Sequence, residues 1–225
     1  MRTLIFSGAG SPFARKVRIV LHEKGLSYDE DIRPGIRPVE ELKALNPTLA
    51  LPALRDGEEL LFGSDIIAEF LLARYPAEPA GGSHPPLAPR LTRPDAHWRD
   101  LKILATVDAF ADTVVNVRHF RSEGVTGDRS RYMARQEARL QSCLDWLEEQ
   151  ATAEGFWPGC FSIMDIALIC PLDYAEARGV IQWRDRRTLA ALYQHWQARP
   201  SVQATAEPFT RSEEHTSELQ SRHNL

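Results

Sequence analysis

A turn at Ser11-Pro12 restricts the possible folds of this chain more than any other feature of the sequence. The apolar run Leu4-Ile5-Phe6 before the turn is typical of a strand, and apolar residues after it recur with helical spacing. Serine is a preferred N-cap residue, and proline suits the first position of a helix. The sequence therefore predicts a hydroxyl and unpaired backbone N–H groups where a strand becomes a helix, a place that attracts anions and thiolates. Taken alone, the pattern also fits an ordinary capped turn.

The first 76 residues show the alternation of a small α/β domain. Strands are predicted at residues 3–7 and 28–32, and helices at residues 12–24 and 39–45. Asp56-Gly57 is a hairpin signal between two further strands, at residues 53–55 and 59–62. A last helix begins near Ser64, which we expect to be its N-cap. The order βαβ then ββα predicts the thioredoxin-like arrangement, a mixed sheet with helices on both faces.

The chain changes character after residue 76. Residues 77–94 are rich in proline and include Gly81-Gly82, so we expect a linker there. Residues 95–210 carry four helical patterns, at about residues 95–120, 133–147, 162–178 and 187–199. The third begins with the capping box Ser162-x-x-Asp165, whose role we expect to be structural because it satisfies buried backbone N–H groups. The predicted fold class is an α/β thioredoxin-like N-terminal domain followed by an all-α C-terminal domain.

The final segment, residues 211–225, is unlike the rest of the chain. It resembles the translation of a common sequencing-library adapter. We therefore predict a non-native, disordered tail, and we expect the natural C-terminus to lie outside this sequence. Its histidines, His215 and His223, are left out of the search for ligands.

Composition and charge argue against several classes of function. The chain is 43% hydrophobic and 26% charged, as expected for a globular protein in water. Its net charge of −4 gives no general attraction to nucleic acid or to anionic membranes. The apolar runs are too short to span a bilayer, and the N-terminus lacks a signal-peptide pattern. Because the chain has no CxxC, HxxxH or HExxH, we expect reduced thiols in the cytoplasm, no metal site, and neither nucleic-acid nor membrane partners.

Five motifs, in order along the chain, resemble those of one family. They are Ser11-Pro12-Phe13-Ala14-Arg15-Lys16-Val17, Asn46-Pro47 with Leu51-Pro52-Ala53-Leu54, Ser64 with Ile67 and Glu69-Phe70, Ser162-x-x-Asp165-Ile166-Ala167, and Arg199-Pro200-Ser201-Val202. Over residues 1 to about 209 the chain resembles the cytosolic glutathione transferases. The first motif resembles the active-site turn of their serine-type bacterial members.

The resemblance implies roles for particular residues at a glutathione site. Ser11 would be the catalytic residue, donating a hydrogen bond to the glutathione sulfur, and Phe13 would border the thiol. Leu51 would pair through its backbone with the cysteinyl part of glutathione, next to a cis Pro52. Ser64 and the helix it begins would hold the γ-glutamyl carboxylate.

Other positions near this site match the family less closely. Arg37 aligns with a lysine that contacts the glycyl carboxylate of glutathione in some members. Gly63 stands where the family has Glu, Asp or Gln, a side chain that helps to hold the γ-glutamyl group. Asp65 comes two positions later on the helix, and we expect it to point elsewhere. We expect Arg15 and Lys16 to form a solvated face of the first helix.

The resemblance implies an enzyme, a glutathione S-transferase with glutathione as co-substrate and no metal. The glutathione thiolate would attack a small hydrophobic electrophile held by the all-α domain, a detoxification reaction, and the enzyme would be a cytoplasmic homodimer. The alternative is a non-catalytic glutathione-transferase-like protein that binds other proteins. The glycine at position 63 favours this alternative, and the intact serine turn disfavours it. Candidates for the electrophile pocket are Trp98, Asp108, Asp112, His119 and Phe120.

Overall fold

A four-stranded mixed sheet forms the N-terminal half of the protein. The structure, a computed structural model, describes residues 1–8, 10–33, 38–75 and 84–206. The strands are β1 (Arg2–Phe6), β2 (Asp29–Ile32), β3 (Ala53–Asp56) and β4 (Glu59–Phe62), in the order β2-β1-β3-β4. β1 is parallel to β2, and β3 is antiparallel to both β1 and β4. Together with helices α1 (Pro12–Glu23), α2 (Val39–Lys43) and α3 (Ser64–Arg74), this confirms the predicted thioredoxin-like fold.

The register of the sheet brings three chain segments to one edge. Ile5, near the end of β1, pairs with Ala53 at the start of β3. Ala53 in turn pairs with Phe62 at the end of β4. The turn before α1, the loop before β3 and the start of α3 therefore all leave the sheet at the same edge. The candidate glutathione-binding residues that the structure describes lie on these three segments or directly after them: Ser11, Phe13, Leu51, Pro52, Gly63 and Ser64.

The C-terminal half contains five helices within its described residues. They are α4 (His97–Ser122), α5 (Arg131–Gln150), α6 (Ile163–Ala177), α7 (Arg187–Gln197) and α8 (Pro200–Ala204). The first four correspond to the helices predicted from periodicity, with ends that differ by a few residues where the apolar pattern does not fix the last turn. Among the described residues, no helix combines the length and apolar character needed to cross a bilayer.

The predicted capping box is present at the start of α6. Asp165 Oδ2 accepts a hydrogen bond from Ser162 N at 2.8 Å, and Ser162 Oγ accepts one from Asp165 N at 3.3 Å. Asp165 Oδ1 also accepts from Phe156 N at 2.9 Å, so this buried carboxylate holds the incoming loop as well as the helix. Burial raises the pKa of Asp165 to about 6, against the hydrogen bonds that lower it.

The segment before α4 packs on the helical half. Ala88 N donates to Phe161 O, and Phe161 N donates to Pro86 O, each at 2.9 Å. Leu87 and Ala88 are buried by this pairing. The part of the predicted linker at residues 84–88 is therefore tied to the loop that enters α6. Residues 77–83 of that segment and the predicted tail at residues 211–225 lie outside the described residues.

Charged side chains on α1 join the two halves. Arg15 forms an ion pair with Asp173 of α6, and its Nη2 donates to Val202 O at 3.2 Å. Farther along the helix, Glu23 accepts a hydrogen bond from Arg199 Nε at 2.7 Å. Since α1 also packs on α3, it is covered on two sides and its start is fixed relative to both halves.

Candidate functional site

Ser11 is the N-cap of α1, as the sequence predicts. Its backbone is extended (φ −69°, ψ 120°), and its Oγ accepts a hydrogen bond from Ala14 N at 3.3 Å. The Ser11 backbone N–H donates to Gly8 O at 3.0 Å, which fixes the turn after β1. No described residue accepts a hydrogen bond from the partly exposed Ser11 hydroxyl, so its proton is available to a ligand. Phe13, the second residue of α1, is half-buried beside it.

The loop before β3 presents an open backbone edge. The Leu51–Pro52 peptide bond is cis, which confirms the prediction for Pro52. Pro52 is buried, and its carbonyl accepts from Gly63 N at 3.3 Å, which ties this loop to the start of α3. Neither backbone group of Leu51 is hydrogen-bonded to another backbone group in the described part of the chain. An extended peptide could therefore pair with Leu51 as an added strand.

Asn46 holds the loop that carries Leu51, a role that the sequence motif did not reveal. The Asn46 side chain is buried. Its Nδ2 donates to Ala50 O at 2.7 Å, and its Oδ1 accepts from Thr48 N at 2.8 Å. An asparagine side chain that bonds its own backbone a few residues on is typical of a tight turn, so the Asn-Pro dipeptide was the available signal.

The start of α3 differs from the prediction. The N-cap is Gly63, with φ 82° and ψ 122°, and Ser64 is the first helical residue. Ser64 does not cap the helix through its side chain, because the turn from β4 needs a positive φ at the capping position and glycine supplies it. Ser64 is only 6% exposed, and its hydroxyl has no hydrogen-bond partner among the described residues.

Arg15 and Lys16 are buried, so the expectation of a solvated face is wrong. They are 6% and 3% exposed, because α1 lies between α6 on one side and α3 on the other. Lys16 forms an ion pair with Asp65 of α3, and its Nζ lies 3.5 Å from Asp108 Oδ1 of α4. Asp65 therefore points toward a buried cation on α1.

Two aspartates of α4 belong to the same electrostatic environment. Burial raises the pKa of Asp108, and the charges of Asp65 and Asp112 raise it further, against the attraction of Lys16. Desolvation likewise raises the pKa of Asp112, with a contribution from Asp65. Three carboxylates therefore interact electrostatically with the single ammonium of Lys16.

The other electrophile-pocket candidates do not converge. Trp98 is 76% exposed at the start of α4, where its ring contacts the neighbouring His97 ring edge to face. His119 and Phe120 are exposed in the last turn of α4. Trp98 and Phe120 are separated by about 33 Å along the helix, so they do not line one small-molecule pocket. Arg37 lies outside the described residues.

None of the cysteines offers an alternative nucleophile at this site. Cys143, Cys160 and Cys170 are free thiols in the helical half. Burial raises the pKa of each, and that of Cys170 to about 12. All three are therefore protonated at neutral pH and unreactive. Among the described residues, no group of three or more His, Cys, Asp or Glu side chains could hold a metal ion.

Comparison with known proteins agrees with this geometry. The family model described as "Glutathione S-transferase, N-terminal domain" matches residues 6–79, and "Glutathione S-transferase, C-terminal domain" matches residues 131–196. A glutathione transferase family member from Pseudomonas fluorescens Pf-5, solved with bound glutathione, is 30% identical over 92% of this chain and 100% of that chain, with a TM-score of 0.72. A glutathione S-transferase from Methylobacterium radiotolerans, in complex with glutathione sulfonate, is 27% identical over 93% of this chain and 97% of that chain, with a TM-score of 0.75.

A relative that is not named as a glutathione transferase matches part of this chain. The stringent starvation protein A homolog of Coxiella burnetii is 40% identical over 85 residues, which is 38% of this chain. The match spans only 37% of the length of that relative. Both family models and the solved structure from Pseudomonas fluorescens nevertheless agree over most of the chain. The chain belongs to the glutathione S-transferase family.

Proposed function

We propose that this protein is a glutathione S-transferase that conjugates the glutathione thiolate to a small hydrophobic electrophile. The observation that carries the proposal is the Ser11 hydroxyl, whose proton has no acceptor among the described residues. It lies at the sheet edge where, within the same residues, the Leu51 backbone is unpaired. Structural neighbours crystallised with glutathione or its sulfonate support glutathione as the ligand.

The cysteinyl and γ-glutamyl parts of glutathione each have a complementary group at this edge. The Leu51 backbone pairs with the cysteinyl residue, as a strand adds to an open edge. The start of α3 and the Ser64 hydroxyl bind the γ-glutamyl carboxylate, since unpaired N–H groups at a helix start attract anions. Arg37 remains a candidate for the glycyl carboxylate. The thiol then lies over the N-cap of α1, next to Ser11 and Phe13.

The chemistry requires only that the thiol be ionised. A free thiol has a pKa of about 8.5, so a few per cent is thiolate at neutral pH. Lowering that pKa by two units takes about 2.7 kcal/mol. A hydrogen bond from Ser11 and the N–H groups of α1 supply free energy of this size. The thiol proton passes to solvent, sulfur forms a bond to the electrophilic carbon, and the leaving group departs with the bonding electrons.

The wider biological setting is proposed on the same basis. We propose a cytoplasmic homodimer that acts in detoxification, with a glutathione-binding domain at residues 1–76, a linker at 77–94 and an electrophile-binding domain at 95–210. The electrophile would lie against α4 near Asp108 and Asp112, the two pocket candidates that approach the start of α3. Glutathione is the co-substrate, and no metal is required.

A second candidate function is a non-catalytic binding protein. The similarity to a stringent starvation protein A homolog over the N-terminal part favours it, because that relative is not described as a transferase. Such a protein would keep the fold and bind another protein. The free hydroxyl proton of Ser11 favours the enzyme, since a purely structural cap needs only the oxygen.

Two measurements separate these functions. Isothermal titration with glutathione tests binding, and conjugation of glutathione to 1-chloro-2,4-dinitrobenzene tests catalysis. The enzyme is expected to bind glutathione and to lose turnover in Ser11→Ala but not in Ser7→Ala, which removes an exposed hydroxyl at the end of β1. Absence of glutathione binding would exclude the transferase and favour the protein that binds another protein. Binding without turnover in the wild type would also favour a non-catalytic role.

A further inference from the structure

The surroundings of Lys16 contain more negative charge than this one ammonium balances. Within the described part of the chain, carboxylates approach it from two helices, Asp65 from α3 and Asp108 from α4, and Asp112 adds a third charge nearby. Lys16 contacts Oδ1 of Asp65, and no described residue contacts Oδ2. The Asp65 side chain is 49% exposed, so its second oxygen is open to a ligand.

An anion site lies directly beside this negative charge. Ser64 is only 6% exposed. Its hydroxyl nevertheless makes no hydrogen bond to the described residues, and the hydroxyl oxygen is not sealed from solvent. It is the first residue of α3, an 11-residue helix whose start has no side-chain cap. The unpaired N–H groups there and the free hydroxyl together suit a carboxylate.

Consecutive residues thus present groups for an anion and for a cation. A ligand that satisfies both must carry a carboxylate and an ammonium within a few ångströms of each other. An α-amino acid head group has both charges on one carbon. In glutathione only the γ-glutamyl end has this chemistry, because the cysteinyl nitrogen is an amide and the glycyl end has a carboxylate alone.

Gly63 does not provide the carboxylate for such an ammonium. It has no side chain, and its φ of 82° is a conformation that other residues adopt only with strain. This chain therefore has no negative charge at position 63, where the family pattern has one. Asp65 is the nearest carboxylate along the chain, and its ion pair with Lys16 fixes the side chain while leaving it 49% exposed.

We propose that Asp65, positioned by Lys16, binds the α-ammonium of the γ-glutamyl group while Ser64 and the start of α3 bind its α-carboxylate. This inference rests on the proposed function and assigns the residue that makes the site selective for a free amino group. Asp108 and Asp112 contribute through their charge. Burial is the main cause of the raised pKa of both aspartates, and the charge of Asp65 adds to it.

The test compares two ligands that differ only in the amino group. Glutathione and its analogue glutaryl-cysteinyl-glycine, which lacks that group, are titrated calorimetrically into the wild type, Asp65→Asn and Glu69→Gln. Glu69 is an exposed acid one turn farther along α3, so Glu69→Gln removes the same charge from the same helix away from the site. Thermal unfolding checks that each variant is folded.

We expect the wild type and Glu69→Gln to bind glutathione about 10- to 100-fold more tightly than the analogue, the scale of a hydrogen bond between charged groups. In Asp65→Asn that preference should disappear, with binding of the analogue unchanged. A preference that persists in Asp65→Asn, or no preference in the wild type, would overturn the assignment. If the wild type binds neither ligand, the proposed function fails and this inference fails with it.

Discussion

Replacing Ser11 with alanine separates its two roles, as a helix cap and as a donor to the thiolate. The Ser11 oxygen accepts one hydrogen bond, from Ala14 N at 3.3 Å, so losing it should destabilise the fold by about 1 kcal/mol. The hydroxyl proton has no protein acceptor among the described residues, so its loss should act on the ligand alone. A hydrogen bond to a charged group is worth about 1.5–3 kcal/mol. The pKa of bound glutathione should therefore rise by about one to two units.

The assay is the pH dependence of turnover with a model electrophile, together with the ultraviolet absorbance of bound thiolate. Ser11→Ala should reduce turnover about 10- to 100-fold at pH values below the pKa of the bound thiol. Turnover should recover partly in alkaline solution, where the thiol ionises without help. Glutathione affinity should change little, because Leu51 and the start of α3 make the other proposed contacts.

Ser130→Ala is a matched control for the loss of a cap. Ser130 is the N-cap of α5, and its Oγ accepts from Met133 N at 3.3 Å, the same distance as at Ser11. Both variants should lose similar stability, yet only Ser11→Ala should shift the thiol pKa. Superimposable pH–rate profiles for wild type and Ser11→Ala would refute the reasoning and assign thiolate stabilisation to the N–H groups of α1.

Two further predictions concern the buried capping box. The pKa of Asp165 is raised from 3.8 to about 6 in the fold, so this carboxyl contributes stability that is fully present below about pH 3.8 and is lost as the pH rises through about 6. Chemical denaturation at several pH values measures the free energy of unfolding of the wild type and of Asp165→Asn. The wild-type value minus the variant value should fall by about 3 kcal/mol between pH 3.8 and pH 6. A difference that does not vary with pH would contradict the raised pKa. Gly155→Ala should destabilise by several kcal/mol, because φ is 121° and a Cβ there would lie 2.7 Å from Asp165 Oδ1. Gly57→Ala, at φ 64° with no atom within 4 Å, should cost only about 1 kcal/mol in the same denaturation series, and equal losses would show that contact with Asp165 is unimportant.

Local signals in the sequence were sufficient for much of the architecture. The Ser11-Pro12 turn predicts the cap and first turn of α1, since the capping atoms and the proline ring are only a few residues apart. The capping box at Ser162 is similarly a matter of three-residue spacing. The cis bond before Pro52 followed from the family motif rather than from any local preference, which favours trans.

The sequence by itself therefore determined the fold class, the starts of α1 and α6 and the position of Ser11, because these depend on side chains and backbone groups close together in the chain. Only the tertiary structure decided that Lys16 is buried and that Asp65 faces it, since both depend on the packing of α3 and α6 on α1. It also decided that Asp108 approaches the start of α3 while Trp98 does not. A charged residue on a helix shows the same pattern whether that face meets water or another helix. The difference arises only when distant segments pack and remove water from around the charge.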